Sequence, residues 1–125
     1  MATERRILVI EDDTEIRDGI AGVLEMEGYR IQSAVHGREA LELLSSSPLP
    51  ALIILDLMLP VMNGREFLLR LKANVETARI PVILTSAAGT TLLDGLAADF
   101  VVKKPFDLDT LLMAVRTLWG DHAAE

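Results

Sequence analysis

Apolar runs in this chain repeatedly end in residues that can do chemistry. ILVI (7–10) runs into Glu11, Asp12 and Asp13, and LIIL (52–55) runs into Asp56. IPVIL (80–84) ends in Thr85 and Ser86, and the pair Val101 and Val102 ends in Lys103, Lys104 and Pro105. Brought together, these are carboxylates, a hydroxyl and an ammonium. Packed carboxylates repel one another unless a cation neutralises them. A ligand set of oxygens alone selects a hard ion, Mg2+ before Ca2+, because so few protein ligands leave room for waters and a phosphoryl oxygen. A carboxylate beside such an ion can attack a phosphoryl group. The hydroxyl and the ammonium can bind the phosphoryl oxygens, which carry charge throughout the transfer.

This chemistry needs the runs to be strands whose ends share one rim. A short continuous apolar run ended by a breaker reads as a strand buried on both faces. Leu52–Asp56 fits best, followed as it is by Pro60 and the Asn63–Gly64 pair. Between the runs lie helical spacings. Ile16, Ile20, Val23 and Leu24 mark one helix, with Gly28 as its C-cap. Ala40, Leu41 and Leu44 mark a second, and Phe67, Leu68 and Leu71 a third. Asp107 can cap a last helix with Leu108, Leu111, Leu112, Val115 and Trp119 on its apolar face. Tyr29–Ala34 reads as a more polar strand near an edge, and Ile80–Leu84 as a buried one. Strand then helix, five times over, implies a parallel sheet covered on both faces. In such sheets ligands bind beyond the carboxyl ends of the strands.

Composition narrows the function. A chain of 125 residues, half apolar and a quarter charged, makes one globular domain. We expect a single domain over 1–125, with a core from about 5 to 119 and Gly120–Glu125 as a tail or the start of a linker. A net charge of −7 argues against broad binding to nucleic acid or anionic membrane. The absence of cysteine excludes disulfides, thiolate metal sites and cysteine nucleophiles. No secretory signal is visible, and the most apolar stretch is too interrupted to span a bilayer, so a cytoplasmic setting is expected. His36 and His122 read as solvated, and Lys103 as a surface charge.

ILVIEDD, LDLMLPVMNG, IPVILTSA and KKPF stand in this order, each at a strand end. In this the chain resembles the receiver domains of two-component response regulators over nearly its whole length. The resemblance implies a flavodoxin-like (βα)5 three-layer sandwich with a five-stranded parallel sheet. The strand order, 2-1-3-4-5, is that of the family, which supplies the usual example of it. It implies that Asp56 accepts the phosphoryl group. Asp12 and Asp56, with the backbone carbonyl of Met58, would bind Mg2+ (Mn2+ as a substitute), and Glu11 would bind it through water. The family's spacing from Asp56 selects Ser86 over Thr85 for the phosphoryl oxygens, with Ala87 leaving room beside it. The Lys-Pro pair selects Lys104 over Lys103, with a cis Lys104–Pro105 bond. The partners implied are a histidine kinase or a histidine phosphotransfer protein upstream and an unknown protein target downstream. The domain would assist its own phosphotransfer and dephosphorylation without being a turnover enzyme.

Two features depart from the family pattern. The segment between Ser86 and Lys104 is about four residues short, roughly one helical turn. Gly89 and Gly95 flank its only apolar face, Leu92, Leu93 and Leu96, so the fourth helix should be shortened. The family's aromatic switch falls three places before the lysine, at Val101, while Phe100 stands one place off. Either the register slips by one or the aromatic switch is absent. A degenerate receiver acting as a phosphorylation-independent interaction module is therefore the alternative. An aspartate-based phosphatase would carry a second Asp where Met58 stands, and is set aside. No helix-turn-helix segment or basic patch is visible, so direct DNA binding is not expected.

Overall fold

A computed structural model of the chain describes residues 6–46, 48–87 and 98–123. Five strands form one parallel sheet: β1 (Arg6–Ile10), β2 (Arg30–Ala34), β3 (Leu52–Asp56), β4 (Val82–Ser86) and β5 (Phe100–Lys103). Their spatial order is β2-β1-β3-β4-β5. The helices are α1 (Thr14–Met26), α2 (Gly37–Ser46), α3 (Gly64–Ala73) and α4 (Leu108–Ala123). This is the flavodoxin-like arrangement expected. The shortened helix expected between Ser86 and Phe100 falls on residues 88–97, outside the described residues.

Alternation along each strand sorts the core into two layers. Leu8, Ile10, Ile53, Leu55, Val82 and Leu84 face Ala40 of α2 and Phe67, Leu68 and Leu71 of α3. Ile7, Val9, Leu52, Ile54, Ile83 and Val102 face Ile20 and Leu24 of α1 and Leu111, Val115 and Trp119 of α4. Each fully buried Leu or Ile contributes about 1.5–3 kcal/mol relative to exposure. β3 sits at the centre of the sheet, and all its residues are buried. Trp119 closes α4 against the sheet and meets Tyr29 edge-on, with ring centroids 5.0 Å apart.

Local chemistry sets the boundaries. Asp13 caps α1 by accepting from the Ile16 N–H at 3.1 Å, as negative charge at a helix N-terminus should. α1 ends before Gly28, whose φ of 95° is readily adopted only by glycine. Asn63 caps α3 through the Glu66 N–H at 2.8 Å. β4 begins at Val82, two residues later than its apolar run suggests, because Pro81 has no N–H for the ladder and the Ile80 N–H is used in a turn to the Thr77 carbonyl. His36 is half-buried and not simply solvated: its Nδ1 accepts from the Glu39 N–H at 3.1 Å, while Glu39 Oε1 accepts from the Val35 N–H at 2.7 Å. This reciprocal pair starts α2. Among the described residues, no helix is long and apolar enough to cross a membrane.

Candidate phosphoryl site at the carboxyl rim of the sheet

β1 delivers Glu11 and Asp12 to the rim, and β3 delivers Asp56 as its last residue. One carboxylate oxygen from each of the three lies within 4.8 Å of the others. Glu11 and Asp56 are buried, 2% and 4% exposed, while Asp12 is open to solvent. Lys104, after the end of β5, reaches across the sheet to the acids. Its Nζ lies 2.9 Å from Glu11 Oε1 and 3.3 Å from Asp56 Oδ2. The backbone holds this lysine in place, since the Lys104 N–H donates to the Ser86 carbonyl at 2.8 Å. The Lys104–Pro105 bond is cis.

The carboxylates are fixed by local hydrogen bonds. Glu11 Oε2 accepts from the Asp13 N–H at 3.1 Å, and Asp56 Oδ1 accepts from the Met58 N–H at 3.1 Å. Beyond Asp56 the chain stays on the sheet for one more bond, from the Leu57 N–H to the Thr85 carbonyl. It then turns through Pro60–Asn63, where Val61 has φ 65° and the Met62 N–H donates to the Pro60 carbonyl at 2.7 Å, a γ-turn. The start of α3 closes back on the acid. The Gly64 N–H donates to the Leu57 carbonyl at 2.9 Å. A Cβ on Gly64 would fall 2.4 Å from the Asp56 carbonyl oxygen and 2.7 Å from Leu57 Cα. Only glycine permits that approach.

Electrostatics at the rim are those of a crowded acidic pocket. Burial pushes the Glu11 carboxyl above its ordinary pKa, against the hydrogen bonds from Lys104 and from the Asp13 N–H, and the Asp56 charge pushes it further. Burial works to lower the Lys104 ammonium, but its bond to Glu11 and the charges of Asp56 and Glu11 outweigh it and hold its pKa above the usual value. Among the described residues, three carboxylates thus cluster around a site where the Lys104 ammonium pairs with two of them. The donors are all oxygens, with neither imidazole nor thiolate among them, which suits a hard divalent cation. A cleft of about 770 Å³ opens beside Asp12, lined also by Met58, Pro60, Asn63 and Arg65. A second, of about 430 Å³, runs from Lys104 and Ala87 along Ile16 and Gly19 of α1 to Phe106.

Residues 7–116 match the family profile described as the response regulator receiver domain. The chain belongs to the response regulator receiver domain family. A receiver domain is a signalling module of two-component systems and not a turnover enzyme. RpaA of Synechocystis sp., named a DNA-binding dual master transcriptional regulator, is 41% identical over 117 residues, covering 90% of this chain and 48% of that protein. The two-component response regulator ORR11 of Oryza sativa is 34% identical over 116 residues, covering 87% of this chain and 79% of that protein. The chain spans about half the length of RpaA and of several other curated relatives that it matches. Among solved structures, the signal receiver domain of a histidine kinase from Syntrophus aciditrophicus superposes with a TM-score of 0.89 at 30% identity, covering 94% of this chain and 92% of that one. The chemotaxis response regulator CheY4 of Vibrio cholerae gives 0.83 at 26% identity, covering 93% and 99%.

The receiver fold brings Glu11, Asp12, Asp56 and Lys104 into one group. Thr85 and Ser86 are both buried; Thr85 is the register partner of Asp56, and Ser86 lies one step nearer the rim. Ala87 is exposed beside Lys104, Met58 lies open on the other cleft, and Lys103 is on the surface. On β5, Val101 pairs with Leu84 and Phe100 with Ile83, so the two point to opposite faces. Both are partly exposed, at 47% and 39%. Sequence reasoning missed Arg17 and gave Gly64 no role beyond that of a strand breaker. The partners of Arg17 are backbone carbonyls, which leave no pattern in a sequence.

Proposed function

We propose that this receiver accepts a phosphoryl group on Asp56 from a phosphohistidine of a histidine kinase or a histidine phosphotransfer protein. The observation that carries the reading is the Lys104 ammonium bridging Glu11 and Asp56 inside a cluster of three carboxylates. The side chains of Asp12 and Asp56, the Met58 carbonyl and, through water, Glu11 would hold Mg2+, with Mn2+ as a substitute. When bound, the ion neutralises the phosphoryl oxygens. Asp56 attacks the phosphorus, a carboxylate oxygen–phosphorus bond forms, and the phosphorus–nitrogen bond breaks with its electron pair returning to the imidazole. Lys104 exchanges a carboxylate oxygen for a phosphoryl oxygen. Ser86 donates its hydroxyl to another, and Ala87 leaves the approach open. Attack by water on the phosphorus later returns Asp56 to its free form.

The acyl phosphate adds charge and three acceptor oxygens, and these contacts shift the domain between two conformations. The shift can be no larger than the difference in phosphoryl contacts between those states. The downstream target is a protein. The acidic balance of the domain supports a receiver with no direct contact to nucleic acid or membrane, for which the setting we propose is cytoplasmic; the DNA binding in the name of RpaA belongs to a protein twice as long. With Mg2+ and acetyl phosphate, intact-mass spectrometry should show one added phosphoryl group, and Asp56→Asn should abolish it. Label that persists in that variant on another residue overturns the assignment.

A second reading is favoured by β5. Val101 stands where the family's aromatic switch belongs, and Phe100 lies on the opposite face. On this reading the domain is an interaction module that works without phosphorylation. Beryllofluoride titration followed by NMR separates the two. Shifts that reach α4 support the switch, and shifts confined to the rim support the module.

A further inference from the structure

We infer that Arg17 is a positioning residue for the acidic pocket: its guanidinium fixes the backbone that carries Glu11 and Asp12. Arg17 is the fourth residue of α1, close to the positive end of the helix dipole, where a cation is disfavoured. Its side chain turns back toward the helix N-terminus, as helical side chains do. Nη1 donates to the Glu11 carbonyl at 2.9 Å and lies 3.4 Å from the Asp12 carbonyl. The same turn is held from within by the Asp13 N–H on Glu11 Oε2 and by the Asp13 side chain on the Ile16 N–H. Arg17 adds a side-chain tie between the helix barrel and the end of β1. Both contacts come from Nη1, whose two N–H bonds lie in the fixed guanidinium plane, whereas a lysine ammonium on its flexible stem is less well oriented.

The inference rests on the reading that Asp12 and Asp56 hold Mg2+, and it makes a prediction of opposite sign to simple electrostatics. Arg17 places a positive charge next to a cation site. If charge alone mattered, its removal would tighten Mg2+ binding. If positioning dominates, removal weakens it, as loss of a partner that orients ligands commonly does.

The test is Mg2+ titration of the wild-type chain, Arg17→Met and Arg17→Lys by calorimetry at fixed ionic strength without phosphodonor, with thermal unfolding in EDTA alongside. Arg17→Met keeps the stem and should bind Mg2+ about tenfold more weakly, with Arg17→Lys between it and the wild type. Unchanged or tighter binding by Arg17→Met overturns the inference, whatever happens to its melting temperature, since a purely structural role lowers stability without altering the affinity of the folded protein. Should Arg17→Met fail to fold, Arg17→Lys carries the test, and affinity equal to wild type overturns the inference. A wild-type chain that binds no Mg2+ overturns the metal reading and this inference together. Mg2+ binding by the wild type with unaffected variants overturns this inference alone.

Discussion

The Lys104 ammonium lies 2.9 Å from Glu11 Oε1, joining residues 93 positions apart in the chain. The same nitrogen is 3.3 Å from Asp56 Oδ2. One cation therefore does locally what a divalent ion would do more fully, and the two compete for the same carboxylates. Lys104→Met should separate their roles. We expect it to lower stability in EDTA by about 2 kcal/mol, the scale of a hydrogen bond to a charged group, because Glu11 and Asp56 lose their counter-charge. Mg2+ binding should tighten while the response to beryllofluoride is lost. Urea unfolding and calorimetry measure the two effects, and weaker Mg2+ binding in this variant would contradict the competition.

Mg2+ itself should stabilise the domain. At a hundredfold excess over its dissociation constant, a ligand specific for the folded state adds about 2.7 kcal/mol. Thermal unfolding with Mg2+ against EDTA should show a rise of several degrees, and Asp12→Asn or Asp56→Asn should shrink it. A midpoint indifferent to the ion in the wild-type chain would count against the acidic cluster as a cation site.

Gly64 and Gly22 make a pair of opposite sign. At Gly64 an added Cβ meets the Asp56 and Leu57 backbone, which cannot move aside cheaply. Gly64→Ala should destabilise by about 1–3 kcal/mol, as overpacking does. Gly22 lies within α1 with open space around its would-be Cβ. Gly22→Ala should stabilise by roughly 0.5–1 kcal/mol through helix propensity. Denaturant midpoints of the two variants decide it, and equal signs would refute the packing argument.

The two adjacent hydroxyls can be told apart by function. Ser86→Ala should lower the steady-state phosphorylated fraction reached with acetyl phosphate, since it removes a donor to the phosphoryl oxygens. Thr85→Val, close in volume, should leave that fraction near wild type. Phosphorylation read by mass spectrometry distinguishes them, and the reverse pattern would move the role to Thr85.

Much of the architecture was legible because the central strands are buried on both faces. ILVI and LIILD carry nothing but apolar residues up to their terminal acids, and runs of that length suit a strand buried on both faces better than a helix. The edges were less legible. Pro81 sits within an apolar run and hides the true start of β4, because hydropathy does not register a missing N–H. Asp12, Asp56 and Lys104 announced themselves by type and by position at strand ends. Arg17 did not, since an arginine near a helix start reads as a solvated charge until its carbonyl partners are seen. His36 was missed for the same reason: its ring accepts from a backbone N–H, and sequence pattern carries no record of that. On β5, alternation alone sets Phe100 and Val101 on opposite faces, but only the pairing shows that Val101 stands beside Leu84 and Phe100 beside Ile83.

The chain contains one tryptophan and one tyrosine, and Trp119 and Tyr29 touch edge-on. Tyr29 immediately precedes β2, so the contact lies at the amino end of the sheet, away from the acids. The domain thus carries its own optical reporter. Excitation of the tyrosine passes to the indole at this range, and the pair sits at the opposite end of the sheet from the acids. A change in ultraviolet emission when Asp56 is modified would therefore register a rearrangement that has crossed the domain from the rim to the α1–α4 side of the core, with no label attached to the protein.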